Sequence, residues 1–370
     1  MATIRDVARE AGVSIATVSR VFNQSAVVRP ETCEHVRVVA ARLDYWPNGA
    51  ARSLITSRTL TLGVVLPDLH GEFFSEVIRG IDLAARRERF QILLSSSHAD
   101  ADALSSAVRA LRGRIDGLIV LSPDAGSAGV VESIAQSLPV VLLHSGPDTL
   151  ACATFAIANH DGALAMTRHL LELGHRRIAM LCGPAGNVDA EERLRGYRAA
   201  LTEAGIMQDA ALEIAGDFSE DCGAARAVDL LAIDPRPTAV FCANDAMAIG
   251  LVGALRRVGA RVPEAMAVTG FDDIAIGRYL DPQLTTVRAD AYELGEGAVH
   301  MLLPFAQARQ PVPSARVSVP TRLIVRASCG AALTPKSGTA QQHRHRPLVA
   351  SARRVEGGRE AAGRDRGRAS

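Results

Sequence analysis

The sequence predicts a small all-α head containing a helix-turn-helix, a short hinge, and an α/β core of two lobes built on parallel sheets. Three observations predict this. A helical apolar period runs twice, with one interruption, through the first twenty-three residues. From Leu60 onward, short apolar runs alternate with helical stretches in two successive series. Past Gly330 the apolar content collapses. The expected divisions are a head over residues 1–45, a linker and hinge helix over 46–59, a two-lobed core over 60–330, and a disordered basic tail over 331–370. A chain of 370 residues calls for two or three domains, and its 48% hydrophobic content supplies sizeable cores.

In the head, apolar residues fall at Ile4, Val7, Ala8 and Ala11, then at Val13, Val18, Val21 and Phe22. Gly12-Val13-Ser14 interrupts them. Glycine permits a left-handed backbone at the end of one helix, and Ser14 is placed to accept from an early amide of the next. Thr3 with Asp6 makes a variant capping box that starts the first helix. Ala8 is small where the helices cross, and Val18 faces it. The second helix leaves Ile15, Ala16, Thr17, Ser19, Arg20 and Asn23 on or near its outer face. Those groups suit a major groove: Arg20 can grip guanine, Ile15 and Ala16 can touch thymine methyls, and Ser14, Thr17, Ser19 and Asn23 can hold phosphates. The alternative is a plain packing unit with a solvated outer face. A third helix opens near Pro30 and runs to about Leu43, with Val36, Val39, Ala40 and Leu43 inward.

These residues carry a resemblance. Ile4-Arg5-Asp6-Val7-Ala8, Ala11-Gly12-Val13-Ser14 and Thr17-Val18-Ser19-Arg20-Val21-Phe22-Asn23 resemble the amino terminus of the lactose/galactose repressor family of bacterial transcription regulators. The likeness continues through Tyr45-Trp46-Pro47-Asn48 and Ala51-Arg52-Ser53-Leu54, which are similar to that family's hinge helix. It implies that Asn48, Ala51 and Leu54 meet DNA, with Leu54 the wedge in the minor groove at the operator centre. Residues 49–54 are too few for a stable isolated helix, so their order must come from pairing on DNA; a flexible tether is the other reading. The family also implies a homodimer on a pseudo-palindromic, double-stranded operator. Its tetramers use a carboxyl-terminal leucine-heptad helix, and nothing in this tail resembles one.

In the core, strand-like runs stand at Leu62–Leu66, Gln91–Leu94, Gly117–Leu121 and Pro139–Leu143, separated by helices near Phe73–Arg89, Ala103–Leu111 and Gly129–Leu138. A second series has strands at Ile178–Leu181, Glu213–Ala215, Ala239–Cys242 and Ala267–Thr269, with helices near Ala163–Leu173, Glu192–Ala204, Cys222–Ala232, Ala246–Val258 and Ala291–Phe305. Two such units imply a cleft lined by the carboxyl ends of the strands. The resemblance implies a core like the periplasmic sugar-binding proteins, whose chain crosses between lobes three times. Those crossings are expected near Ile157–Asp161, Asp281–Arg288 and Val319–Arg326.

For the cleft, Asn244-Asp245-x-Met247-Ala248-x-Gly250 and Gly270-Phe271-Asp272-Asp273 each follow a strand and look like family landmarks. Arg193 and Phe218 match the family's cleft arginine and stacking aromatic, and the first lobe offers Phe73, Phe74 and His144. Carboxylate, guanidinium and aromatic plate suit a polyhydroxylated ring. Asp245 also has the bland reading of a cap for a helix starting at Ala246. Sugar-binding members often have an aspartate where this chain has His144, which points to a different hydroxyl pattern or to an acidic sugar. Asp245 and Asp272 would repel a carboxylate, so a neutral mono- or disaccharide is the first expectation. The alternatives are a purine or protein corepressor and, in another class, a cytoplasmic sugar-binding or sensing protein.

Charge is uneven beneath a net of +1: residues 1–60 hold eight Arg against five acids, and 331–370 hold nine basic residues against three. The six cysteines are scattered without a Cys-x-x-Cys pair and read as reduced thiols, not a metal site. No signal-like or membrane-length apolar run is present, so a cytoplasmic protein without a membrane partner is expected. Enzyme motifs are wanting: there is no phosphate-binding loop, nucleophile elbow or zinc-protease helix, and Gly183-Pro184-Ala185-Gly186 lacks a lysine. No enzyme activity and no cofactor are expected.

Overall fold

The head forms from α1 (Ile4–Glu10), α2 (Ile15–Phe22) and α3 (Pro30–Arg42). The computed structural model describes residues 2–22, 28–46, 58–69, 71–98, 100–121, 128–143 and 152–331. Asn23, Asn48, Ala51, Leu54 and His144, and with them the hinge helix, the wedge and the basic tail, lie outside the described residues. The capping box of α1 is present, with Thr3 Oγ1 accepting from the Asp6 amide and Asp6 accepting from the Thr3 amide. Gly12 has φ +64°, and the Val13 amide reaches back to the Ala8 carbonyl at 3.0 Å, which closes the helix in a left-handed turn. Ser14 Oγ accepts from the Thr17 amide at 3.1 Å and opens α2. Val7, Ala8, Ala11, Val18, Val21, Val36, Val39 and Ala40 bury together as the head's own core. Tyr45 closes it edge-on against Phe22, while the next residue, Trp46, is 81% exposed and donates only to Asp44 Oδ1.

The chain next lays down β1 (Thr61–Leu66), α4 (Glu72–Arg87), β2 (Gln91–Ser96), α5 (Ala101–Leu111), β3 (Gly117–Leu121), α6 (Ala128–Ala135), β4 (Val140–Leu143) and β5 (Ala153–Ile157). It crosses at Ala158 into the second lobe. There it forms α7 (Asn159–Glu172), β6 (Ile178–Leu181), α8 (Val188–Glu203), β7 (Glu213–Ile214), α9 (Glu220–Ala232), β8 (Ala239–Cys242), α10 (Asp245–Arg257), β9 (Ala267–Thr269) and β10 (Thr286–Ala289). It returns as α11 (Ala291–Ala308) and β11 (Arg316–Val319), then crosses a third time into β12 (Thr321–Ile324).

The first lobe's sheet is parallel throughout, in the order β11-β5-β4-β3-β1-β2. Both of its faces are covered, as a parallel sheet requires. Leu62, Val64, Leu66, Ile119 and Val141 join the cluster that holds α4 and α11. Val65, Leu118, Val120 and Leu142 bury with Leu104, Leu111 and Val131 of α5 and α6. Successive residues thus serve opposite faces. The second lobe's sheet, β7-β6-β8-β9, is parallel too, while β10 and β12 pair antiparallel at the junction.

Four strands are missing from the expected set: β5, β10, β11 and β12. Three of them, β10, β11 and β12, carry arginine, and β11 is mostly exposed, so their apolar signal is weak although their ladders are real. The second crossing also comes later than expected. Thr286 and Arg288 are still paired with Ile324 and Arg322, and the chain leaves the junction only at Asp290.

On the outside, β2 is an edge strand, and Leu93 and Leu94 are exposed there, as is Leu83 on α4. Among the described residues no helix is long and apolar enough to cross a membrane. Of the six free thiols, Cys152, Cys242 and Cys329 are buried and the other three are partly so.

Candidate DNA-reading and effector sites

The head displays one polar face. Ser14, Ile15, Ala16 and Arg20 are exposed on the first two turns of α2 and just before it, and Thr17 and Ser19 are half-buried beside them. Ser14 and Thr17 are not idle, since their hydroxyls bond one another at 2.9 Å as part of the cap. Arg9 is held by Asp6, and Arg42 by Glu10. Arg5, Arg20, Arg29 and Arg37 make no ion pair among the described residues, so their guanidinium groups are available to an anion.

In the second lobe the strand ends bring five expected residues together. Arg193 comes from α8, Phe218 follows β7, Asn244 and Asp245 follow β8, and Asp272 follows β9. Arg193 is 5% exposed, and its guanidinium plane lies 3.8 Å from the Phe271 ring centre and 5.8 Å from that of Phe218. Its Nε donates to Asn159 Oδ1 at 2.8 Å, its Nη1 to the Ala243 carbonyl, and its Nη2 to Asp272 Oδ1 at 3.3 Å. Phe218, at φ +70°, and Asp272, at φ +113°, hold backbone conformations that side chains seldom adopt, and such strain gathers at binding sites. Gly183 is what seats Phe218, because a side chain there would overlap the ring. Burial pushes the Asp272 carboxyl up to about 6, against the pull of Arg193 and with a further push from Asp189.

Two expected ligand residues have structural work instead. Asn244 is the cap of α10: its Oδ1 accepts from the Met247 amide at 3.0 Å, and its amide holds the Phe218 carbonyl at 2.9 Å. Asp245 therefore does not cap a helix starting at Ala246. It lies inside α10, fully buried, accepting from Thr286 Oγ1 at 2.6 Å and from the Ile274 amide at 3.0 Å. Burial, and then the neighbouring Asp272, raise its pKa well above the usual carboxylate range. Asp245 ties α10 to the junction, and its side chain has no exposure from which to reach a ligand.

Between the lobes lies a cavity of about 440 Å³. Glu72, Phe73, Glu76 and Arg79 of α4 form one wall, the 272–278 loop another, and residues 288–292 the back. Phe73 and Asp272 thus meet across one space, while Phe74 packs edge-on against Phe73 with ring centres 5.6 Å apart. Arg193, Phe218 and Asn244 stand behind Asp272 and do not line this cavity.

Sequence reasoning missed two groups here. Asn159, at the first crossing, is 1% exposed and joins Arg193 to Asp189, its Nδ2 donating to Asp189 Oδ1 at 2.9 Å. Asp273 has a fully buried side chain gripped by Arg288 and Arg326, with Arg278 at 3.5 Å, so one carboxylate fastens the loop to both β10 and the segment after β12. The arginines on the crossing strands were the available signal.

The bacterial regulatory protein family named for lacI matches residues 3–48, and a periplasmic binding protein-like domain matches 167–329. The transcriptional repressor PurR of Vibrio atlanticus (strain LGP32) is 36% identical over 310 residues, which cover 82% of this chain and 91% of PurR. Catabolite control protein A of Priestia megaterium is 34% identical over 328 residues, 88% of this chain and 98% of that protein. Among solved structures, the lac repressor dimer bound to operator and the anti-inducer ONPF has a TM-score of 0.80 and 32% identity, covering 89% of this chain and 99% of its own. A complex of the transcriptional regulator CelR with cellobiose has a TM-score of 0.66 and 32% identity, covering 89% and 100%.

Proposed function

Since this chain belongs to the LacI family of bacterial regulatory proteins and is a DNA-binding transcriptional regulator of that family, we propose that it is a homodimeric repressor controlled by a small neutral sugar held between its core lobes. The observation that carries this reading is the space between Phe73 of one lobe and Asp272 of the other, backed by Arg193 and its two aromatic neighbours. Its volume falls within the range of small-molecule sites, about 300–1,000 Å³. A ring compound with a polar edge finds the Phe73 ring and the Asp272 carboxylate there, with the Arg193 guanidinium held behind that carboxylate. The cellobiose complex of the structurally similar CelR supports the sugar class. A purine is the second reading, favoured by the aromatic rings of Phe73 and Tyr292 in the cavity wall.

For DNA, α2 supplies the reading face: Arg20 and the Ile15-Ala16 pair to bases, Ser14, Thr17, Ser19 and Asn23 to phosphates, with Asn48, Ala51 and Leu54 at the hinge. Leu83 of α4 and Leu94 of the edge strand β2, exposed on the same side of the sheet, mark the face on which two copies pair, and the operator is then a pseudo-palindrome.

The test begins with duplexes enriched from a random library by the wild-type protein. Arg20→Ala should weaken binding to the enriched duplex by about 1–3 kcal/mol while leaving random DNA nearly unaffected. Calorimetry with glucose, cellobiose, gluconate and hypoxanthine then assigns the ligand class, with Asp272→Ala as control. Binding of hypoxanthine but no sugar would replace the sugar reading with the purine one.

A further inference from the structure

We propose that α11 is the lever joining the cavity to the DNA-side linker, and that Arg58 and Asp116 are the positioning residues that fasten the linker to it. This rests on the regulator reading above. At its amino-terminal end α11 is part of the cavity wall, through Asp290, Ala291 and Tyr292. Its eighteen residues reach about 27 Å at 1.5 Å per residue. At its far end the Gln307 carbonyl accepts from Arg58 Nη2 at 2.6 Å, and Arg58 is where the described chain resumes after the linker.

The two residues that follow are fixed as firmly. The Thr59 amide donates to both oxygens of Asp116 at 2.9 and 3.0 Å, and the Leu60 amide donates to Oδ2 at 2.7 Å. Leu60 is held at φ +51°, a left-handed conformation that leucine adopts only under such constraint. Asp116 is 8% exposed and sits one residue before Gly117. A Cβ on Gly117 would lie 3.2 Å from Leu302 and Ala306, so β3 begins directly against the last turns of α11. Exit, clamp and helix end are therefore one packed unit.

The lever has a bearing as well. Gly80 of α4 lies under the Tyr292 carbonyl and Gly295 of α11 under that of Val77, each so close that a side chain would strike backbone. With the backbones in contact, α4 and α11 are held at closest approach at this point. A ligand that displaces the first turn of α11 tilts the helix about this contact, and although Pro304 removes one hydrogen bond of the ladder, the packing of Leu302 and Ala306 on Gly117 carries the tilt to Arg58.

A double-mutant cycle tests this without knowledge of the ligand. The probe is the duplex enriched by the wild-type protein, and the variants are Ala291→Phe, which intrudes on the cavity end, Arg58→Ala, and the pair. Tyr292→Ala perturbs the same end and replaces Ala291→Phe if that variant does not fold. Sites this far apart should act independently unless something joins them. The expected result is a departure from additivity of fivefold or more in Kd, with faster deuterium uptake at 58–61 in Arg58→Ala. Additivity within twofold overturns the lever. Failure of the wild-type protein to enrich any duplex would instead overturn the regulator reading itself.

Discussion

Asp272 and Asp273 are neighbours in sequence with opposite assignments. Asp273 is spent on arginines of the crossing strands, whereas Asp272 faces the cavity with Arg193 behind it. Its raised pKa has a defined stability consequence. A carboxyl titrating at about 6 in the folded chain and near 4 when unfolded favours folding fully below pH 4. That contribution is lost as pH rises through 6. Asp272→Asn should therefore stabilise the core at pH 7.5 by at most about 3 kcal/mol, with the gain vanishing near pH 3.5, as urea unfolding at the two pH values would measure. A gain unchanged between them would mean that the carboxyl is not titrating in this window. Asp272 could be placed from the sequence because it follows a strand end, whereas Arg193 and Phe218 were expected only from the resemblance to the repressor family. Asn159 was not, because one asparagine at a helix start looks like any cap, and only the fold reveals that Arg193 lies across from it. Asp245 misled for the converse reason: its motif marks a helix start and says nothing of which neighbour takes the cap.

At the scale of elements, the head was read almost whole, since its stop, turn and start signals are local. Gly12 shows why. No atom lies within 4 Å of where its Cβ would be, so space does not demand glycine, but φ of +64° does. Gly12→Ala should destabilise the head by about 1 kcal/mol through backbone strain alone, speeding exchange of the α1 and α2 amides about fivefold. An unchanged exchange rate would show that the turn relaxes. The crossing strands were less legible. The pairing of β10 with β12 joins residues more than thirty apart, and no window along the chain contains both partners. Helices α4 and α11 pose the same difficulty, since Gly80 and Gly295 are each unremarkable until they face one another.

At the scale of the molecule, head and lobes have separate cores: the eight buried residues of the head share no cluster with the lobes. Separate cores permit separate melting. The chain's single tryptophan, Trp46, stands on the head's last described residue with its indole mostly in water. Emission excited at the red edge therefore arises from the head alone, while the lobes, which hold most of the helix and strand, dominate the far-ultraviolet dichroism. Heating should give a fluorescence transition that does not coincide with the dichroic one, and coincident curves would mean that the head unfolds only with the core. Binding of duplex DNA should move the emission toward the blue as the DNA shields the ring, and an unchanged spectrum would mean that the indole stays in water. The single indole is thus a built-in optical label at the edge of the head, and that shift would let occupancy of a duplex be read without attaching a dye.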